Sequence, residues 1–250
     1  MTEGQKALLA FSIIAGFILV VLGYLIIGSA RRKKAMKEKA QAMRFSFDGT
    51  VNDADGPFLK SLNHLALFQH NDQLAQNIIR GGVTGATITI FDHTTAHSWR
   101  HMGESNYSTD CHTVIVFQSD QLKLPFFKLR LKGSGRTSCE KWKEYVDVSF
   151  DNHRQFSKRY NLQGFDEAAI RQLFGDHAFQ FFDQPGHWAV DGHEDTLVVG
   201  RMRPRRYVAM GGARNLRPRI RMVAVKDLQN FLDEGSKIFS LFANQASRPH

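Results

Sequence analysis

Helix and hairpin patterns follow one another in FDEAAIRQLFGDHAFQFFDQPGHWAVDGHEDTLVVGRM, residues 165–202. Over 165–182 the apolar residues recur with a helical spacing, and Asp166 and Glu167 favour the start of a helix. The following stretches, 188–192 and 195–202, predict two strands that meet near Gly192. A helix that leads into a hairpin favours an antiparallel sheet over a doubly wound parallel one.

The rest of the soluble part shows the same short connections between strands. Strands are predicted at 86–90, 112–118 and 145–150, with an extended segment at 122–131 in which Pro125 indicates an edge or a bend. Helices are predicted at 55–69 and at 226–246. We therefore expect residues 45–250 to form a soluble α+β domain, with a mostly antiparallel sheet and two or three packed helices.

The N-terminal part carries a long stretch without charge, ALLAFSIIAGFILVVLGYLIIGSA at residues 7–30. A bilayer core of about 30 Å needs about 20 helical residues. A cleaved signal peptide and a buried core helix are the alternatives. The stretch is longer than the apolar region of a signal peptide, and a dense basic cluster follows it directly. We predict a transmembrane helix over 7–30, preceded by a short extracytoplasmic tail, residues 1–6.

The basic cluster sets the expected orientation. Residues 31–44, RRKKAMKEKAQAMR, hold seven basic residues and one acidic residue, and predict a basic juxtamembrane stalk. Positive charge stays on the cytoplasmic side of a membrane. We therefore predict a single-pass protein of the plasma (inner) membrane with its C-terminal domain in the cytoplasm. Free thiols at Cys111 and Cys139 fit that reducing compartment.

A second basic patch lies at 201–221, RMRPRRYVAMGGARNLRPRIR, with eight arginines and no acid. The net charge is +9, so these two patches leave the rest of the chain mildly acidic. A solvated loop is one reading of the second patch, but the planar fork of arginine suits phosphate. The residues predicted to bind lipid or another anion are Arg31, Arg32, Lys33, Lys34, Arg201, Arg203, Arg205, Arg206, Arg214, Arg217, Arg219 and Arg221.

Residues that could carry chemistry are sparse. His93, His97 and His101 recur every fourth residue in a Thr- and Ser-rich stretch that predicts a loop, and His187 and His193 lie in a second His- and Asp-rich stretch. All five are weak candidates for metal ligands, because an exposed polar loop or turn explains each group better than a metal site does. The motifs of α/β-hydrolases, zinc proteases, dithiol redox proteins and dinucleotide-binding proteins are absent. We expect no cofactor and no catalytic activity.

Several phrases resemble a family of uncharacterised bacterial single-pass membrane proteins. They are Ile90-Phe91-Asp92, Thr113-Val114, Leu124-Pro125-Phe126-Phe127-Lys128-Leu129, the set Phe150, His153, Phe156-Ser157, Tyr160, Leu162, Gly164, Asp166-Glu167, Arg171 and Leu173-Phe174, and Val190-Asp191-Gly192. The resemblance implies an N-terminal anchor and a cytoplasmic α+β domain. It implies no activity and assigns no catalytic residue. His93 departs from the aromatic expected there, and Leu131-Lys132 departs from an expected Pro-acid ending.

The sequence thus predicts a membrane-anchored cytoplasmic interaction or scaffold protein. Its expected partners are the lipid bilayer, anionic lipid head groups and an unidentified protein. Two alternatives stay open: a membrane-associated enzyme that uses the stretches 92–101 and 187–195, and a nucleic-acid tether that uses 201–221. We favour lipid phosphate over nucleic acid, because only Tyr207 in the second patch is able to stack on a base.

Overall fold

The computed structural model describes residues 3–51, 57–69, 73–83, 85–101, 104–133, 145–203 and 219–246. Within them lie six α-helices and ten strands, joined by short turns and 3-10 segments. In chain order these are α1 Glu3–Ala42, β1 Ser46–Val51, α2 Pro57–Ser61, β2 Gln73–Val83, β3 Ala86–His101, β4 Glu104–Gln118, β5 Leu124–Leu131, β6 Val146–Val148, α3 Arg154–Arg159, β7 Tyr160–Gly164, α4 Glu167–Leu173, α5 Asp176–Phe182, β8 Trp188–Glu194, β9 Thr196–Arg203, β10 Arg219–Ile220 and α6 Leu228–Ala246.

Nine of the described strands form one sheet in the order β1-β2-β3-β4-β9-β8-β5-β7-β6, and β10 pairs with β9 beside it. Every pairing is antiparallel. The predicted α+β class with a mostly antiparallel sheet is therefore confirmed. Pro125 lies where the register between β5 and β8 shifts, as the predicted bend requires.

Apolar side chains cover both faces of the sheet. On one face a large core forms against α1, α3, α4, α5 and α6, with buried aromatic residues such as Phe127, Phe174 and Phe242. A smaller core lies on the other face, where residues 57–69 pack Leu62 and Phe68 against Phe91 and the valines of β4. Because both faces are covered, the central strands read as apolar runs broken by a few polar residues.

Helix α1 includes the uncharged stretch 7–30 and continues without a break through most of the basic cluster. The part of the chain that the structure describes, which omits the side chains of residues 6–10, 13 and 17–26, contains no helix long and apolar enough to span a membrane. The predicted transmembrane helix is therefore not confirmed. Beyond residue 30, Met36 and Ala40 of α1 are fully buried in the large core. The packed domain thus extends N-terminally of residue 45.

Three local predictions are wrong. The helix predicted over 55–69 is α2 at Pro57–Ser61 alone, followed by turns and a 3-10 segment at Ala66–Phe68. Residues 92–101, predicted as a loop, continue β3 and pair residue by residue with β4 up to the pair His101–Glu104. Their threonines and Trp99 suit a strand, and a two-stranded hairpin tolerates the polar alternation. The single helix predicted over 165–182 is two helices, because α4 ends at Leu173 and α5 begins at Asp176. Gly175 separates them as the N-cap of α5, and glycine is a weak helix former.

Candidate functional site

A two-pronged ion pair joins α1 to the sheet. Arg32 donates from Nε to Oδ2 of Asp92 and from Nη2 to Oδ1 of Asp92, each at 2.7 Å. The side chain of Asp92 is 1% exposed. A two-pronged contact of this kind fixes the orientation of both groups, and it compensates a carboxylate that would be costly to bury alone.

Neighbouring groups complete the hydrogen bonds of this ion pair. Asn77 donates to Oδ2 of Asp92 at 2.9 Å, and Thr113 donates to Oδ1 at 2.8 Å. Asn77 has a positive φ of 52° and lies where the pairing of β2 with β3 is irregular. Arg32 also donates from Nη1 to the carbonyl oxygen of Val223 at 3.0 Å. Arg32 therefore ties together α1, β2, β3, β4 and the segment that leads to α6.

The spacing of four residues explains why Arg32 is the basic residue that enters the domain. Arg32, Met36 and Ala40 share one helical face, and Met36 and Ala40 are fully buried. Arg31, Lys33 and Lys34 point to other sides of α1 and are exposed. The sequence predicts that the four basic residues at 31–34 bind an anion. Arg32 is thus paired within the domain, whereas Arg31, Lys33 and Lys34 remain exposed.

The ion pair lies on a row of residues that crosses the sheet. Asp92 is opposite Thr113, the Thr113 amide donates to the Arg221 carbonyl at 3.2 Å, and the Arg221 amide donates to the Arg201 carbonyl at 2.8 Å. Arg201 is in turn opposite Trp188. We call this side of the sheet the Arg32 end. Since α1 turns back into β1 after Ala42, the residues before Arg32 continue past this row in the direction in which β3 and β4 pair for nine further residues, up to His101–Glu104.

The Arg-rich patch is attached to the same end. The chain leaves the sheet after Arg203 in β9 and re-enters it at Arg219 in β10, and the two residues are opposite each other. Residues 204–218 lie outside the described residues, and with them the predicted anion ligands Arg205, Arg206, Arg214 and Arg217. The side chains of Arg203 and Arg219 also lie outside them. Both connections of the patch therefore start at the Arg32 end.

Four basic side chains lie close together at this end. Arg201 forms an ion pair with Glu234 and lies over the ring of Trp188, 5.1 Å from its centre. Burial and the nearby charge of Arg221 lower the pKa of Arg201. Burial, Arg159 and Arg221 lower the pKa of His187, in that order of importance. Like charges thus surround His187 and favour its neutral form.

Acidic residues mark the opposite end of the sheet. Asp120 lies in the turn after β4, Glu194 ends β8, and Asp195 lies in the turn before β9; all three are exposed. The Ser119 amide donates to the Asp195 carbonyl at 2.9 Å and holds the two turns together. Charge is therefore distributed unevenly along the strand direction. Basic residues lie at the Arg32 end, and acidic residues lie at the other end.

The structure does not bring the histidine candidates together. His93, His97 and His101 lie on β3, where four residues span about 13 Å. His187 precedes β8, and His193 lies near its far end, 5.1 Å from the ring of His64. Among the described residues, no three His, Cys, Asp or Glu side chains converge as a metal site requires. The stretches 92–101 and 187–195 are separated by β4 and β9, or about 14 Å at about 4.8 Å a strand.

Two buried polar pairs lie instead beneath residues 57–69. His93 is hydrogen-bonded to His112 at 3.0 Å and to the side-chain oxygen of Gln73 at 3.1 Å. Arg130 donates to Asp191 at 2.9 Å, and Asp191 also accepts the Leu67 amide at 3.1 Å. Contacts of this kind fix the register of a segment that covers a sheet. We interpret both pairs as structural.

Sequence reasoning missed Asp92, Thr113, Asn77 and the role of Arg32. Two signals point to them. Asp92 ends the apolar run ITIF, and a carboxylate in a buried strand needs a cationic partner. Met36, Ala40 and Met43 follow a helical spacing within the basic cluster, which indicates a packed face.

Comparisons with known proteins support the fold. No family model matches the sequence, and no curated protein matches it either. The chain is similar in structure to the crystal structure of the mycobacterial trehalose monomycolate transport factor A, TtfA. The TM-score is 0.55, the sequence identity is 15%, and the match covers 89% of this chain and 99% of that one. At this identity the likeness shows a shared α+β fold.

Proposed function

We propose that the chain is a single-pass protein of the inner membrane, anchored by residues 7–30, whose cytoplasmic domain works as an interaction or scaffold module and contacts anionic lipid. It would belong to the uncharacterised bacterial family that its sequence phrases resemble. The proposal concerns binding and assembly, without a catalytic step.

One observation carries this proposal. Arg32 comes two residues after the uncharged stretch and is held by Asp92 in the body of the domain. An anchor at 7–30 would therefore be joined to the domain without a loose linker. The Arg32 end, with both connections of the Arg-rich patch, would face the lipid surface. Each basic residue near an anionic surface contributes about 1 kcal/mol of attraction.

Two further observations support it. Arg31, Lys33 and Lys34 remain exposed at the Arg32 end, whereas the acidic turns lie at the far end and would face away from anionic lipid. The structural neighbour is named a trehalose monomycolate transport factor, and a binding role without a catalytic step is what we propose for this chain.

The test uses the full chain in nanodiscs, made of phosphatidylcholine alone or mixed with phosphatidylglycerol, and measures amide hydrogen exchange. We expect phosphatidylglycerol to slow exchange in 31–37 and 201–221, and high salt to reverse the effect. A variant with Arg203, Arg205, Arg206, Arg214, Arg217 and Arg219 changed to glutamine should lose the effect in 201–221. The control variant, Arg154→Gln with Arg171→Gln, removes exposed charge elsewhere and should keep it.

Equal exchange in both lipids would overturn the lipid contact. Protection by added DNA, in either lipid and with a steep salt dependence, would support the nucleic-acid alternative instead.

A further inference from the structure

We propose that a projecting ribbon of β3 and β4 lies in the head-group layer of the membrane that residues 7–30 span. The ribbon consists of the paired residues 96–101 and 104–109, and we call it the 96–109 ribbon. This inference rests on the proposed function, because it takes the anchor at 7–30 as given. It adds a contact with lipid that lies outside both basic patches.

The ribbon extends beyond the neighbouring strands of the sheet. Among the described strands, β2 pairs with β3 only as far as Thr95, and β9 pairs with β4 only as far as Val114. The 96–109 ribbon continues for six further pairs and ends at the pair His101–Glu104. At about 3.4 Å a pair, it reaches about 20 Å past the end of β2. No described strand pairs with either of its outer edges.

The anchor leads in the same direction as the ribbon. The ring of Phe45 lies against Gly81, which is paired with the first residues of β3. Arg32 is bonded to Asp92, further along β3. Going back from residue 45 to residue 32, the chain therefore runs along β3 toward the ribbon. Helix α1 is unbroken, so residues 31 to 7 continue that way and leave the domain on the same side as the ribbon.

The ribbon is too polar to run beside the anchor through the core of the bilayer. Its sequence, AHSWRHMGESNYST, contains only two aliphatic residues, Ala96 and Met102. A two-stranded ribbon also directs backbone groups outward along both edges, and the core of a bilayer offers no water to bond them. Two-stranded ribbons twist more strongly than wide sheets, so the ribbon is able to turn aside at the membrane surface. The head-group layer suits it, because water and polar lipid groups are present there.

The composition of the ribbon is typical of a membrane interface. Trp99 is opposite Asn106, and the adjacent pair contains Tyr107. Tryptophan and tyrosine are enriched where a membrane meets water, since each ring is apolar and carries one polar group. The single charges of Arg100 and Glu104 balance, so this contact does not require anionic lipid.

A strand of a partner protein is the alternative occupant of the ribbon. Open edges are templates for strand pairing, and residues 96–109 contain neither lysine nor proline, which commonly prevent it. We favour lipid, because the anchor brings the membrane to the side on which the ribbon projects. The experiment distinguishes the two occupants.

The experiment measures the depth of the ribbon in the membrane. In the full chain with Cys111 and Cys139 changed to alanine, a fluorophore is attached at Ser98→Cys, and the protein is reconstituted in phosphatidylcholine vesicles. Part of the lipid carries a nitroxide quencher, either on the head group or near the end of an acyl chain. We expect the head-group nitroxide to quench the fluorophore at residue 98 more strongly than the acyl-chain nitroxide.

Two further positions calibrate the depth. Ile14 is exposed on α1, and Lys123 is exposed after β4 at the acidic end of the sheet. A fluorophore at Ile14→Cys should be quenched by the acyl-chain nitroxide, as an anchor at 7–30 requires. A fluorophore at Lys123→Cys should be quenched by neither nitroxide, because this residue lies at the end of the sheet away from the anchor.

A pair of double variants tests the two aromatic residues. Trp99→Ser with Tyr107→Ser should remove most of the head-group quenching at residue 98, because the ribbon loses its interfacial rings. The matched control, Ser105→Ala with Ser108→Ala, should keep the quenching. The melting temperature of each variant checks its folding. Equal quenching in both double variants would contradict a role for the aromatic residues.

The outcomes separate the ribbon from the anchor. Weak quenching at residue 98 together with acyl-chain quenching at residue 14 would overturn the ribbon contact and keep the anchor. Equal quenching at residue 98 by both nitroxides would overturn the head-group placement. Absent quenching at residue 14 would overturn the anchor, and the ribbon contact with it. An unquenched residue 98 with slow amide exchange over 96–109 would overturn the lipid contact in favour of a partner strand.

Discussion

Arg32 and Asp92 are 60 residues apart in the chain, and two 2.7 Å hydrogen bonds join their side chains. This pair connects the end of the uncharged stretch to the middle of the sheet. Its consequence is mechanical, because any movement of α1 at residue 32 is transmitted to β3 and β4. The same contact holds the part of α1 after residue 31 against the sheet.

Asp92→Asn should destabilise the domain strongly. The change leaves Arg32 without its partner charge, and breaking one side of a buried ion pair costs about 3 kcal/mol or more. The matched control is Arg80→Gln, which breaks the exposed pair with Asp48 and should cost less than about 1 kcal/mol. Thermal unfolding of the full chain in detergent measures both. Similar losses in the two variants would mean that Arg32 does not depend on Asp92.

Gly164→Ala should also destabilise the domain, by about 1–3 kcal/mol. An added methyl group at residue 164 would meet the side chain of Ile170 and the backbone oxygen of Phe126, which has no room to move. Gly82→Ala is the control, because its methyl group would lie at an ordinary 3.6 Å from the Ala86 oxygen. Chemical denaturation compares the two. Equal midpoints would show that β5, β7 and α4 pack less closely than described.

The proposed orientation predicts opposite accessibility of the two ends of the chain. Gly4 has open space around it, and Asn230 is exposed on α6, so a cysteine fits at either position. In a chain with Cys111 and Cys139 changed to alanine, we expect an impermeant maleimide to label Gly4→Cys in intact cells, and Asn230→Cys only after permeabilisation. Labelling of Asn230→Cys in intact cells would contradict the cytoplasmic placement.

Sequence patterns correctly predicted the elements whose own residues define them, such as an amphipathic helix or a hairpin. The C-terminal helix, predicted at 226–246, is α6 at Leu228–Ala246, because its apolar stripe alone defines it. The hairpin of β8 and β9 follows from strand alternation on both sides of one turn. Strand β1, SFDGTV, escaped prediction, because a short edge strand with Gly49 and Asp48 has little β propensity and forms by pairing with β2.

The candidate site depended on contacts that no local pattern contains. The Arg-rich patch was visible as a cluster of charge. The partner of Arg32, Asp92, could not be recognised in the same way, because two strand pairings bring it close and not its spacing along the chain. His187 was named as a metal ligand from its neighbours in sequence, but its contact in space is Arg159. That contact argues against a metal ion at His187, because positively charged neighbours repel a metal cation.

The last prediction concerns acid. Burial lowers the pKa of His64 and of His187 below the ordinary value of 6.5. Because the folded state binds the proton less tightly than the unfolded state, the stabilising contribution is present above about pH 6.5 and is lost as the pH falls through the folded pKa values. The melting temperature in neutral detergent should therefore fall as the pH drops below about 6.5. His64→Gln combined with His187→Gln should flatten this fall, whereas His177→Gln, on an exposed part of α5, should not. An unchanged slope in the double variant would mean that other groups cause the acid sensitivity.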